Sequence, residues 1–223
     1  MLLMKKKPDF IEQRKRMVSD QIVRRGIKSP GVLSAMRSVP RHVFVPKDQR
    51  KWAYSDGALR IGHEQTISQP YIVALMTEAL KLSGDEVVLE VGTGSGYQAA
   101  ILAQLVSTVH TIERHQALSE DAAQRIALLG IENIHFHSGD GSLGLPEMAP
   151  FQAIMVTAAA PKVPQALLDQ LDDGGRLVIP VGAKFSQSLE LWQRNADKFT
   201  CDVISSVAFV PLIGEQGWPG RFT

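Results

Sequence analysis

The segment VLEVGTGSGYQAA, residues 88–100, constrains this chain more than any other. A short apolar, β-branched run at 86–91 leads into Gly92-x-Gly94-x-Gly96, and residues 96–105 then take helical spacing. A strand covered on both faces reads as a near-continuous apolar run of this kind. Glycines at alternate positions let the backbone turn sharply and approach a ligand closely. A helix behind such a loop presents unpaired N–H groups at its amino end. The alternation then repeats: a strand at 106–113, a helix at 115–129 closed by Gly130, strands at 133–139 and 151–158, a short helix at 163–171 and a strand at 175–181. Residues 71–82 supply a helix ahead of the first strand. This order predicts an α/β fold, a doubly wound and mostly parallel sheet with right-handed crossovers.

The last third breaks the rhythm. Only six residues, 182–187, separate the strand at 175–181 from the run at 188–194. A parallel crossover needs a dozen or more. An antiparallel hairpin is therefore expected, with a further strand at 202–212, making seven strands and an antiparallel C-terminal edge. The other end is different again. Residues 9–28 read as a basic amphipathic helix with Ile11, Met17, Ile22 and Val23 inward and Gly26 as its stop. A second short helix follows at 31–38. Residues 39–70, rich in Pro and Gly, read as extended or looped. A loop that long is usually functional or disordered, and Phe44, Trp52 and Tyr54 argue against disorder. One domain is expected over 1–223: an extension at 1–70 contributing to the substrate site, a ligand-binding core at 71–182, and C-terminal strands and tail at 183–223. The length of 223 residues suits that count.

Charge and composition exclude several classes. No run approaches the ~18 apolar residues of a membrane span, and MLLMKKKPDF has no apolar centre of a secretory signal. A cytoplasmic protein without membrane contact is expected. A single cysteine, Cys201, rules out an internal disulfide. It reads as a buried apolar residue opening the last strand. His63, His135 and His137 show no metal-ligand spacing, so no metal is expected. Net charge is only +1, yet residues 1–51 hold fourteen Lys and Arg against four Asp and Glu. That basic end fits either a solvated helix face or an anionic partner.

Three acids end three successive strands: Glu90 before the glycine loop, Glu113 seventeen residues beyond Gly96, and Asp140 in Ser138-Gly-Asp-Gly141. Ligands of open α/β folds bind at that edge. A dinucleotide site would want its third glycine at 97, where Tyr97 stands. The tighter G-x-G-x-G form after Glu90 fits S-adenosylmethionine better than NAD. Glu113 can accept both ribose hydroxyls, or be a solvated strand-end acid. Asp140 can accept from the adenine amino group, or simply form an Asp-Gly turn.

Several longer segments extend this. AYSDGALRIG (53–62), QTISQPYIVALMTEAL (65–80), IERH (112–115), GDG (139–141), VTAAAPKVPQALLDQL (156–171) and GGRLVIPVG (174–182), with the glycine loop, resemble the protein-L-isoaspartate O-methyltransferase family over roughly residues 10–218. The glycine loop marks any class I methyltransferase. The TISQP and TAAAP segments are far more specific. Glu64 stands where Gly is common, Gln152 replaces an acid, and Leu145 stands where Trp is frequent. The resemblance implies S-adenosylmethionine held by Thr66, Glu90, Gly92, Gly94, Gly96, Glu113, Asp140 and Gly141. It implies methyl transfer to the α-carboxylate of L-isoaspartyl residues in damaged proteins and peptides, followed by closure to a succinimide and partial return to aspartate. Ser68 is the candidate catalytic residue, orienting the substrate carboxylate by its hydroxyl, although it also suits an N-cap for the helix at 71. A monomer with no nucleic-acid partner is expected.

The chemistry of the residues agrees. A peptide carboxylate, pKa ~4, is already ionised at neutral pH, so the reaction needs no general base. No Ser/His/Asp or Cys/His arrangement is present. The rival reading is another class I methyltransferase acting on nucleic acid or a small molecule. Amine methylation of bases usually carries an Asp/Asn-Pro-Pro-aromatic segment where this chain has TAAAP, and Cys201 lies outside the cofactor half.

Overall fold

A computed structural model describes residues 9–184 and 186–220. Residues 1–8, part of the stretch read above as no signal sequence, lie outside the described residues. β3 (Val87–Val91), β4 (Thr108–Glu113), β5 (Ile134–Ser138), β6 (Phe151–Val156), β7 (Leu171–Ala183), β8 (Ser186–Asn195) and β9 (Lys198–Val207) form one seven-stranded sheet in the order β5-β4-β3-β6-β7-β8-β9. The first five strands are parallel, while β8 runs antiparallel to both β7 and β9. The expected fold class is thus present. Strand order reverses about β3, which puts the topological switch point at the carboxyl ends of β3 and β6.

The sheet is covered on both faces, as the apolar runs required. Along β3, Val88 joins a core that includes Tyr97, Ile101 and Leu102 of α4 (Tyr97–Leu102). Leu89 and Val91 join a second core with Ile154, Leu167 and Leu168, the last two from α6 (Gln165–Asp169). The helix α5 (Gln116–Leu128) forms the crossover from β4 to β5, and α3 (Pro70–Ala79) leads into β3. Among the described residues, no helix is long and apolar enough to cross a membrane.

Three regions depart from expectation. The single helix read at 9–28 is α1 (Phe10–Arg16), capped by the Asp9 carboxylate, then a wider π-helical turn, Met17–Ile22, then a 3-10 turn ending at Gly26. The wide turn shifts the helical phase. Met17, Val18 and Ile22 go inward, while Ile11 and Val23 are 62% and 42% exposed, contrary to the inward positions assigned above. The second short helix is α2 (Pro30–Ser38), with Ser29 as its cap. The stretch at 39–70 contains a hairpin, β1 (Leu59–Gly62) with β2 (Gln65–Ile67), closed by His63 and Glu64, both left-handed at φ 48° and 59°. Gly or Asn signals such turns in sequence, and neither is present here. The last strand is displaced, covering 198–207 and not 202–212. The chain turns tightly after Asn195, which pairs with Lys198, and β9 is spent by Val207. Residues beyond it leave the sheet, and Pro211 bridges to Ala159. Cys201 lies exposed, not buried as expected, because β9 is the edge strand of the sheet.

Candidate active site

The carboxyl ends of β3, β4 and β6 open into a cleft of about 880 Å³, solvent-filled mouth included. Its floor is the glycine loop. Gly92 adopts φ 97°, and a Cβ there would collide with the Thr157 hydroxyl. That hydroxyl donates to the Gly92 carbonyl at 2.6 Å, so the loop after β3 and the TAAAP segment after β6 are locked together. Gly96 adopts φ 87° and packs against Ala122 of α5. Gly141 also approaches closely, since a Cβ there would meet the Val91 side chain at 2.5 Å. The hairpin β1–β2 lies over the loop and contributes Gln65, Thr66 and Ile67. Residues 210–213 close the cleft from the C-terminal side.

Glu113, nearly buried, aims its carboxylate into this loop. Its Oε2 accepts from the Gly94 N–H and its Oε1 from the His115 N–H, each at 3.0 Å. Each carboxylate oxygen has a further lone pair, so the group can still accept two hydroxyl protons. That is the geometry a vicinal ribose diol requires.

Glu90 is different. It has no exposed surface and does not line the cleft. Its Oε2 accepts from Thr111 Oγ1, which in turn meets Thr93 Oγ1 at 2.7 Å, while Oε1 has no hydrogen-bond partner among the described residues. Burial, with a smaller push from the Glu113 charge, raises its pKa to about 8, so it is largely protonated at neutral pH. Glu90 therefore sits beneath the glycine loop and reaches it through a threonine relay.

Asp140 is engaged elsewhere. Its Oδ1 accepts from the backbone N–H and the hydroxyl of Ser142, at 2.9 and 2.7 Å, and its Oδ2 from the Glu215 N–H at 2.7 Å. Its carboxylate thus caps the turn at Gly141–Leu143, as the Asp-Gly reading expected, and also clasps the segment at Glu215. Thr66, Ser68, Gly92, Gly94, Glu113 and Gly141 line the cleft, while Glu90, Gly96 and Asp140 lie behind it. Ser68 does not cap α3, because Gln69 occupies that position.

Some contributors lie within the quoted segments without being singled out there as site residues. Thr93, Ser95, Gln98, Arg114 and His115 line the cleft only because the loop and the β4 end place them there. Two departures from the family pattern are also explained. Gln152 accepts from the Val87 N–H and donates to Asp172, which a carboxylate could not do. Leu145 is simply buried in the second core. His110 joins His135 and His137 on the sheet, with Nδ1 3.0 Å from His137 Nε2. Among the described residues no group of three His, Cys, Asp or Glu is placed to hold a metal ion.

Comparison with known proteins agrees with this geometry. The family model for protein-L-isoaspartate(D-aspartate) O-methyltransferase (PCMT) matches residues 12–217. Protein-L-isoaspartate O-methyltransferase 1 of Rhodopseudomonas palustris (strain HaA2) is 54% identical over 211 residues, covering 94% of this chain and 86% of that protein. The Protein-L-isoaspartate O-methyltransferase of Roseiflexus sp. (strain RS-1) is 53% identical over 210 residues, covering 94% and 96%. A solved protein-L-isoaspartate O-methyltransferase superposes with TM-score 0.83 at 29% identity, over 92% of this chain and 67% of that one. A Plasmodium falciparum β-aspartate methyltransferase (PCMT), in complex with S-adenosyl-L-homocysteine, gives TM-score 0.78 at 26% identity, over 93% and 99%.

Proposed function

The chain belongs to the protein-L-isoaspartate O-methyltransferase family, and from that premise we propose how its cleft methylates the α-carboxylate of L-isoaspartyl residues in damaged proteins and peptides. The observation that carries this reading is the Glu113 carboxylate. It is bound to the glycine loop, lines the cleft, and retains two acceptor positions. The residues present fit S-adenosylmethionine: the bare glycine backbone at Gly92 and Gly94, the close approach at Gly141, and the paired acceptor at Glu113. Thr66 lines the same cleft from the hairpin above the loop. Gly96 and Glu90 act from behind the loop, the first by close packing and the second by the threonine relay.

S-adenosylmethionine, held by the glycine loop and Glu113, would supply an electrophilic sulfonium methyl for a carboxylate oxygen, with the C–S bonding pair left on sulfur. The protein's own task is positioning. A carboxylate of pKa ~4 arrives ionised, so no residue removes a proton. Correct placement alone can lower such a barrier by ~7–11 kcal/mol. Ser68, at the cleft wall, donates its hydroxyl to the substrate carboxylate and orients it. A neutral donor holds the anion without the strong stabilisation of a contact ion pair, which would resist the charge cancellation of the transition state. The TISQP and TAAAP segments wall a slot for an extended chain with one additional backbone carbon. Selectivity comes from where the carboxylate falls in that slot, since a misplacement of ~1 Å can cost ~100-fold in rate.

The same reading takes residues 1–70 as an extension forming part of the substrate site, 71–182 as the cofactor core and 183–223 as C-terminal strands and tail, and the protein as a cytoplasmic monomer without a nucleic-acid partner. Labelled methyl transfer to matched isoaspartyl and aspartyl peptides tests it, with transfer to the isoaspartyl peptide alone as the expected result. Ser68→Ala should lower turnover about tenfold, the loss of a hydrogen bond to a charged group. Cofactor affinity should stay within about twofold. Full turnover at saturating cofactor would remove Ser68 from the reaction.

A further inference from the structure

Among the described residues, Arg41 is the largest fully buried side chain, at 0% exposure. Among the described residues it has no ion pair with a carboxylate. A guanidinium buried without a counter-charge is costly, and such a group persists where its geometry is used. Its hydrogen bonds go to main-chain carbonyls: Nε donates to Ala53 O and Nη2 to Ser68 O, each at 2.8 Å. Its guanidinium carbon lies 4.9 Å from the centre of the Tyr97 ring, and Tyr97 is the first residue of the helix behind the glycine loop. Nη1 is buried without a hydrogen-bond partner among the described residues. Burial lowers its pKa only to about 10, so the charge survives at neutral pH.

The contact at Ser68 is informative because the loop there is short. β2 ends at Ile67 and α3 begins at Pro70, leaving Ser68 and Gln69 between them. Gln69 donates to Asp56 Oδ1 at 2.7 Å, so both loop residues are gripped from the 53–56 turn, one through Asp56 and the other through Arg41. We infer that Arg41 is a positioning residue for methyl transfer, its fork tying the Ala53 carbonyl to the Ser68 carbonyl and so fixing the Ser68 hydroxyl at the cleft wall. The inference rests on the orienting role proposed for Ser68. Arg41 is not among the residues lining the cleft, so it acts through Ser68 and holds no reacting atom. Its positive charge behind the wall also favours arrival of the substrate carboxylate. Two separable effects follow. Loss of the fork misplaces Ser68 and lowers kcat. Loss of the charge weakens attraction for the peptide and raises KM.

The test is a double-mutant cycle on the full-length enzyme with an isoaspartyl peptide at saturating cofactor. Arg41→Lys keeps the charge but replaces the planar fork, whose Nε and Nη2 reach the two carbonyls separately, with a single point donor on a flexible stem. It should lower kcat about tenfold with KM and cofactor affinity within about twofold. Arg41→Gln removes the charge and should raise KM as well. In a Ser68→Ala background, Arg41→Lys should cost little more in kcat, because the hydroxyl it positions is gone. Additive losses, with Ser68→Ala itself slow, would overturn the role of Arg41 alone. Full turnover in Ser68→Ala would remove the reading of Ser68 and this inference with it. Parallel loss of cofactor affinity in both Arg41 variants would show a general fold role and overturn the inference too.

Discussion

The cofactor floor and the substrate cover of this protein are built by different means. The floor comes from strand ends: Gly92 after β3, Glu113 at the end of β4, Gly141 after β5 and Thr157 after β6. Parallel pairing places these positions side by side, and most of their contacts are backbone contacts. The cover comes from irregular chain: the hairpin at 59–67, the loop at Ser68 and the strap at 208–218. The hairpin has its own pairing and the strap has backbone bonds between Ala159 and residues 210 and 212, while single polar side chains tie down the parts in between, Arg41 at the Ser68 loop and Asp140 at residue 215. A floor set by sheet register is rigid because the whole sheet must deform to move it. The Ser68 loop and the turn at 214–216 lean on a few side-chain hydrogen bonds, and one substitution can loosen either of them locally.

The largest expected effect is on the floor. Glu113→Ala removes the acceptor for two ribose hydroxyls and leaves the Gly94 N–H without its partner. Hydrogen bonds to a charged group are worth ~1.5–3 kcal/mol each, so cofactor affinity should fall by ~100-fold or more. Titration calorimetry checks this, and unchanged affinity would remove Glu113 from the site.

On the cover, Asp140→Ala should be milder. It releases the Glu215 N–H and unsettles Ser142, whose hydroxyl receives the Gln216 N–H at 3.0 Å. Limited proteolysis within 208–220 should speed up about tenfold, with a comparable rise in the peptide KM. Weaker cofactor binding without faster cleavage would give the Asp140 carboxylate back to the ligand and break the contrast between floor and cover.

The same contrast decides what was legible in the sequence. Each parallel strand was placed to within a few residues at its ends, because a strand covered on both faces has to be apolar and β-branched. The hairpin edge followed from loop length alone. The glycines and Glu113 were legible since their spacing is local. Arg41 was not. Its partners, Ala53 and Ser68, lie 12 and 27 residues away, and a lone arginine near Val39 and Phe44 has no periodicity. The role of Asp140 depends on Glu215, 75 residues away. The Asp-Gly pair revealed the turn but not what the turn clasps. The phase shift that exposes Ile11 and Val23 depends on a π-helical turn, which no residue pattern in 17–22 announces.

A third prediction probes the floor from below. Glu90 binds its proton more tightly in the folded protein than in the unfolded chain, because burial raises its pKa to about 8 from an ordinary 4.5. Between those values the folded state holds more protons, so stability falls as pH rises from about 5 to about 8. Glu90→Gln should flatten that part of the pH profile and raise Tm at pH 8 by a few degrees. Thermal melts of the cofactor-free protein across this range provide the measurement. A slope equal in both proteins would mean that Glu90 titrates normally.

The smallest expected effect concerns the turn of the hairpin. His63 and Glu64 are consecutive left-handed residues, at φ 48° and 59°. A residue with a Cβ is strained there by roughly 1–2 kcal/mol, whereas glycine is not. Glycine also gives the unfolded chain more freedom, which takes back ~0.4–1 kcal/mol. Glu64→Gly should therefore stabilise the protein by about 0.5–1 kcal/mol, read as a higher denaturation midpoint at unchanged slope. The hairpin contributes Thr66 and Ile67 to the cleft through its register, Arg60 opposite Thr66 and Leu59 opposite Ile67. Relief of the turn leaves that register in place, so kcat and KM should not change. A gain in stability accompanied by a change in KM would show that the strained turn sets the height of the cover, and the hairpin would then belong with the strand-built floor as a fixed part of the site.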